Sequence, residues 1–419
     1  MTLHRPGTVD IDDDGRIKWS GPTGDAPARA PGVEHRVEGL LMPGLVNAHG
    51  HAPMIALRGL GEGLPLHRWL TEVMWPREAR LRADDIVAAT SLAASEYLCY
   101  GVTTTCEMYF HPARIATALR SAGMRGVVAA AIMEAAPEWL GDWRSQLDGV
   151  ARFVEECPSD PLITPMIGAH SAYLVGDDAL RAVGDLARLQ QLAVTIHVAE
   201  SAHESDSLSA AHGGASVPRL LADLGLFDGV RVLAAHAVWL DDADIELFAR
   251  HGVAVAHCPG SNAKLASGTA RVRDLRTAGV PVALGTDGAA SGDDLDIWEE
   301  ARLAALLARL QADDATALQA ADAIAMATRE GAAALGVDAG TLAPGRFADI
   351  LRIDLRDPGF VPHLDDADLL AHLLWSVPRR AIRDVWVAGR HVVVDGECTT
   401  VDVDAAAAAV QATAARIAG

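Results

Sequence analysis

The chain has 419 residues, half of them apolar, which is enough to fill a sizeable core and excludes wholesale disorder. Its 56 acidic residues outnumber 35 basic ones, for a formal net charge of −21 at pH 7. A surface this acidic argues against a nucleic-acid backbone or an anionic membrane as the main partner, and leaves room for a small neutral or zwitterionic substrate.

The N-terminal "MTLHRPGTVDIDDDGR" is polar and acidic, with no signal-peptide core. Cys99, Cys106, Cys157, Cys258 and Cys398 are scattered, odd in number and without C-x-x-C spacing, which suits a reducing compartment. No apolar run reaches membrane-spanning length, so the expectation is a soluble cytoplasmic protein. "TVDIDDDGRIKWSG" sets an Asp14-Gly15 turn between alternating stretches, a hairpin signature. "HRVEGLLMPGLVNAHGH" then runs from a polar strand into a buried one.

From about residue 80 the pattern changes. Helical stretches such as "DDIVAATSLAASEYLCYG", "DDALRAVGDLARLQQ", "SVPRLLADLGL", "DDADIELFARHG" and "RVRDLRTAG" alternate with short apolar runs. Those runs are "GVTTTCEMYF", "RGVVAAAIM", "LITPMIGAHSAY", "LAVTIHVAES", "VRVLAAHAVW", "GVAVAHCPGS" and "VPVALGTDG". With "LLMPGLVNAH" they predict the eight strands of a parallel (β/α)8 TIM barrel. After Pro344 the pattern returns to strands in "RFADILRIDL" and "IRDVWVAGRHVVVDGE", and the Ala-rich end predicts a terminal helix. The fold class is therefore α/β, a barrel over residues 45–343 with one small β-domain built from residues 1–44 and 344–419.

Each strong polar signal closes a predicted barrel strand, which is where a barrel of this kind builds its active site. His49 and His51 end the first strand, and alternation puts both imidazoles on one face. His170, His197, His236 and His257 end four later strands, and Asp287 ends the last. Glu200 follows His197 by three residues. A lone strand-end histidine is more often a hydrogen-bonded structural residue than a ligand, and for His257 the two readings balance. Asp287 alone could be a turn residue. Together with H-x-H, however, the set reads as a metal site. His49, His51, His197 and Asp287 would supply three nitrogens and one oxygen to a divalent ion, with water in the open position. No lysine ends "LITPMIGAH" to bridge a second ion, so one metal is expected: Zn2+ first, with Fe2+ or Mn2+ admitted by the same donors.

At this point a family resemblance emerges. "PGLVNAHGHAPMIALRG", "MYFH", "GAHSAYL", "TIHVAES", "AAHAVWL", "HCPGSNAKLASG", "LGTDGAASGDDLDIWEEAR" and "GTLAPGRFADILRIDL" cover nearly the whole chain. In these segments it resembles the amidohydrolase superfamily, and within it the 5′-methylthioadenosine/S-adenosylhomocysteine deaminases and their chlorohydrolase-like relatives. The resemblance implies the barrel-plus-sandwich fold and the ligand set His49, His51, His197 and Asp287. It implies that Glu200 shuttles a proton to a ring nitrogen and that His236 orients and polarises water. It gives Asp287 the role of taking the water's proton. Glu78 would grip ribose hydroxyls, and His170 and Ser291 would contact substrate. The family's barrel enzymes are often oligomers, which admits a homo-oligomer here.

The chain also departs from that pattern. Where adenosine-type relatives carry an arginine towards the 5′ side of the substrate, this chain has Ala130. Arg144, after a 133–144 loop of different length, stands in for a second such arginine. Trp69, Trp75 and Trp298 are candidates to stack a ring, with core packing the equal alternative. The expectation is hydrolytic deamination of a 6-aminopurine nucleoside: adenosine, 5′-deoxyadenosine, methylthioadenosine, S-adenosylhomocysteine or aminodeoxyfutalosine. The alternative is deamination or dechlorination of another N-heterocycle, such as a pterin, a guanine-type base or a chlorotriazine. A non-catalytic scaffold would be expected to have lost ligands, and none is missing.

Overall fold

The computed structural model describes residues 2–28, 32–134, 140–157, 160–376 and 379–418. Near the N-terminus, β1 (Gly7–Ile11) and β2 (Ile17–Pro22) form the expected antiparallel hairpin, with Gly15 left-handed at its turn. The next expected strand divides in two, β3 (Leu40–Pro43) and β4 (Leu45–Gly50). Gly44 permits the division. A Cβ there would meet Thr103 Oγ1 at 2.1 Å, so only glycine lets the chain pass from one sheet to the other.

The barrel continues with β5 (Val102–Tyr109), β6 (Arg125–Ile132), β7 (Ile163–Ser171) and β8 (Val194–Val198). It is completed by β9 (Val232–His236), β10 (Ala254–His257) and β11 (Val282–Leu284). All neighbours pair in parallel and in chain order, and a Gly50–Asp287 bridge nearly closes β11 onto β4. Alternate strand residues, including Val46, Ala48, Val127, Ala129, Ala254 and Ala256, fill the interior as one buried cluster. Residues of the opposite parity join the larger core against the surrounding helices.

Those helices follow the expected segments, including Ala83–Cys99, Asp177–Gln190, Val217–Asp223, Asp242–His251 and Val272–Thr277. Side-chain caps start several of them: Ser216 accepts from Arg219 N, and Asp241 accepts from Asp244 N. After the barrel come β12 (Ile350–Ile353), β13 (Ile382–Val387), β14 (Arg390–Val394) and β15 (Glu397–Cys398). They form one antiparallel sheet with β3, in the order β15-β14-β13-β12-β3, so the two chain ends share a sheet. The hairpin packs against this sheet through Ile17, Ile350 and Trp386. A buried two-pronged ion pair, Arg125 to Asp349 at 2.9 and 3.1 Å, ties the sheet to β6. The terminal helix Val403–Ala418 is anchored to the barrel by Thr413 Oγ1 donating to Asp85. Among the described residues no helix is long and apolar enough to cross a membrane.

Candidate metal centre

Strand ends deliver the polar residues to one point. His51 lies just past β4, where its Nδ1–H donates to the Met108 carbonyl at 2.5 Å. His197 in β8 donates Nδ1–H to the His170 carbonyl at 2.6 Å. A carbonyl only accepts, so both rings carry their proton on Nδ1 and leave Nε2 as a lone pair. His236 ends β9 with Nδ1 2.9 Å from Asn262 Oδ1. His49 is fully buried, and neither of its ring nitrogens has a hydrogen-bond partner among the described residues. An orphaned buried imidazole is costly, and a cation among the surrounding donors removes the cost.

Asp287 follows β11. Its Oδ1 lies 3.2 Å from His51 Nε2 and 3.6 Å from His49 Nε2. Its Oδ2 accepts from Ser261 Oγ at 2.6 Å and from Ser291 Oγ at 2.7 Å. One donor atom each from His49, His197, His236 and Asp287 falls within 4.8 Å of the others. Three imidazoles and a carboxylate in that space suit a single divalent ion of the zinc type.

The charges agree with a cation site. Burial lowers the His49 pKa to about 4 and carries His197 well below its ordinary value. Burial would raise Asp287, but the facing imidazoles of His49 and His51 outweigh it and hold its pKa well below the ordinary carboxylate value. At His51 burial pushes down, Asp287 pushes up, and the pKa ends above its ordinary value. A proton and a cation there compete for the same lone pair. The backbone is strained around the centre as well. Ala199, His236, Ala237 and Asp287 all have positive φ, at roughly 1 kcal/mol or more each for residues other than glycine.

A cavity opens over this cluster, and Glu200, Glu78 and His170 line it. Glu200 is buried, its carboxyl pKa is raised by that burial, and Oε2 lies 3.8 Å from His236 Nε2. Its backbone N–H donates to Glu204 at 2.7 Å, which pins the turn that carries it. Glu78 accepts a hydrogen bond from the Tyr109 hydroxyl at 2.6 Å. His170 has Nδ1 3.0 Å from Ser171 Oγ, and its carbonyl orients His197. Trp69, Trp75 and Phe110 belong to the apolar wall, whereas Trp298 is packed in the core away from the cavity.

The structure does not bring every expected residue to the cavity wall. Ser291 is buried behind Asp287 and braces it. The Arg144 guanidinium is exposed and lies 4.0 Å above the Trp143 ring, away from the cavity. His257 is buried off the wall, with its pKa lowered by burial to about 3. Ala130 is buried in β6, and the neighbouring Ala131 lines the cavity. Within the 133–144 loop, residues 135–139 lie outside the described residues. Tyr109, Ser261 and Asn262 were not singled out from the sequence. The segments "MYFH" and "HCPGSN" that contain them were the available signal.

The comparisons with known proteins agree with one another. The amidohydrolase family model matches residues 40–392. A 5′-deoxyadenosine deaminase of Methanothermobacter thermautotrophicus is 38% identical over 385 residues, 91% of this chain and 88% of that protein. A 5-methylthioadenosine/S-adenosylhomocysteine deaminase of Haloarcula marismortui is 42% identical over 365 residues, covering 86% and 81% of the two chains. An adenosine deaminase from Xanthomonas campestris, solved with zinc bound, superimposes with a TM-score of 0.92 at 36% identity, over 98% of this chain and 93% of that one.

Proposed function

Because the chain belongs to the amidohydrolase family, we propose that it is a metal-dependent aminohydrolase that deaminates a 6-aminopurine nucleoside and releases ammonia. The observation that carries this reading is the meeting, in one cavity, of the His/Asp cluster with the buried carboxyl group of Glu200. His49, His51, His197 and Asp287 would hold the ion, with His236 beside them. When bound, the ion lowers the pKa of water and so supplies a nucleophile near neutral pH.

The chain's own residues do the rest. Glu200, its carboxyl pKa raised by burial, gives its proton to the ring nitrogen beside the amino-bearing carbon and makes that carbon open to attack. His236 turns Nε2 towards the attacking water and orients it. Asp287, anionic and braced by two serine hydroxyls, takes the water's proton and passes it to the departing amine. The amine leaves as ammonia, the ring keeps the oxygen, and the proton still on that oxygen returns to Glu200 as the carbonyl forms. Glu78 accepts from the ribose hydroxyls, His170 contacts the substrate, and Ser291 acts through Asp287. Arg144 has no part in this reading.

The same cavity sorts the candidate substrates. No lysine or arginine lines it among the described residues, and residues 135–139, "AAPEW", contain neither. A carboxylate on the 5′ side would be desolvated without a partner, a cost of about several kcal/mol. Adenosine, 5′-deoxyadenosine and methylthioadenosine therefore fit better than S-adenosylhomocysteine or aminodeoxyfutalosine. Steady-state kinetics on all five tests this. Comparable kcat/KM for the charged and uncharged substrates would contradict the uncharged 5′ preference. A second reading, hydrolysis of a free N-heterocycle, draws on the apolar walls of Trp69 and Trp75. Turnover of free rings in place of nucleosides would favour it.

A further inference from the structure

We infer that Tyr109 is a positioning residue that turns Glu78 into an acceptor for a vicinal diol, and thereby sets a preference for ribosides over substrates lacking the 2′ and 3′ hydroxyls. The inference rests on the nucleoside reading above. Glu78 ends the short helix Trp75–Glu78, and Tyr109 ends β5, so two unrelated elements bring the pair together. Both side chains line the cavity, at only 8% and 5% exposure. The Tyr109 hydroxyl lies 2.6 Å from Glu78 Oε1. Burial drives the phenol's pKa far up, so Tyr109 stays the donor and the carboxylate the acceptor.

No lysine or arginine pairs with Glu78 among the described residues, and His51 is the one charged neighbour that favours its anion. The adjacent Arg77 points its guanidinium at the Val73 carbonyl, 2.8 Å away. Burial raises the Glu78 pKa, and the Tyr109 hydrogen bond is the principal opposing influence. Tyr109 occupies one acceptor position on Oε1, and among the described residues no hydrogen bond reaches Oε2. A carboxylate offers about four acceptor sites, and leaving them unmet in a buried cavity is unfavourable. A vicinal diol brings two O–H donors on adjacent carbons, which is the complement Glu78 lacks. The same strand end also sets the spacing. Met108 holds His51 by its carbonyl, and the next residue holds Glu78 by its side chain. The metal ligand and the sugar anchor are thus registered to each other by consecutive residues.

The test uses the metal-loaded full chain and two substrates, adenosine and 2′,3′-dideoxyadenosine. For Tyr109→Phe, KM for adenosine is expected to rise about tenfold with kcat within about twofold, while the dideoxy substrate is unaffected. In a Glu78→Gln background the same substitution is expected to add nothing. Metal content equal to that of the wild type shows that the centre is intact. Equal losses on both substrates, or a further loss in the Glu78→Gln background, would overturn the inference and leave the deaminase reading standing. If the wild type turns over free rings and neither nucleoside, the nucleoside reading fails and this inference falls with it.

Discussion

Nε2 of His51, just past the first barrel strand, lies 3.2 Å from Oδ1 of Asp287, just past the last, so the closing seam of the barrel runs through the metal centre. Near the mouth, β4 and β11 are joined by the Gly50–Asp287 bridge. Asn47 reinforces the seam. Its Oδ1 accepts from Thr286 N at 3.0 Å, and its Nδ2 donates to Thr286 Oγ1 and Tyr97 OH at 2.9 and 3.0 Å.

Asn47→Ala would leave the Thr286 N–H buried and unpaired. A loss of about 1–3 kcal/mol in unfolding free energy is expected, together with weaker metal retention, since His49 and Asp287 flank the seam. Urea denaturation and metal analysis after dialysis check both. Unchanged values would mean that the seam is held elsewhere.

Chelation is expected to abolish activity, and one equivalent of divalent metal per chain to restore it. The apo protein is expected to melt lower, because His49 would again be buried without a partner. A fully active, equally stable apo form would contradict the single-site assignment.

The serines behind Asp287 give a graded prediction. Ser261→Ala and Ser291→Ala each remove one of the two hydroxyl donors to Oδ2. Each is expected to lower activity or metal affinity by about 10–100-fold without changing the fold. Calorimetric metal titration and circular dichroism separate the two effects. Direct substrate contact by Ser291 would instead appear as a KM effect with metal affinity intact.

Asp296 predicts a pH effect away from the centre. It caps the helix Ile297–Ala312 through Trp298 N at 2.8 Å. Burial, and then the neighbouring Asp294, raise its pKa from 3.8 to about 6, against the Arg379 guanidinium 3.6 Å away. The folded state thus binds this proton more tightly than the unfolded chain. Its contribution is complete below the unfolded value and is lost as pH rises through about 6. Asparagine keeps the cap without the charge. Asp296→Asn is therefore expected to be more stable than wild type by about 1–2 kcal/mol at pH 7.5, and equal to it below about pH 4. Urea midpoints at both values decide it, and a less stable variant at pH 7.5 would show that the Arg379 pair outweighs burial.

Local chemistry explains what the sequence made legible. All eight barrel strands could be read because each is a short apolar run that ends in, or leads to, a polar residue, as in "LAVTIH" and "VRVLAAH". His49, His51, His197, His236 and Asp287 were visible because position on a parallel strand maps directly to position at the barrel mouth. The division at Gly44 was not visible, since it depends on Thr103, a residue far away in the chain. Tyr109 gains its meaning only from Glu78, thirty-one positions earlier. Arg144 showed the reverse: its charge was legible, but the direction of its side chain was set by a local stack on Trp143.

The most direct test of the central claim is ammonia release by the metal-loaded protein given adenosine-type nucleosides, with Glu200→Gln alongside. The account predicts one ammonia per 6-oxopurine nucleoside formed. It also predicts a fall in kcat of about 10²–10⁴-fold in the variant at unchanged metal content. Silence on every nucleoside, or an undiminished Glu200→Gln enzyme, would contradict it.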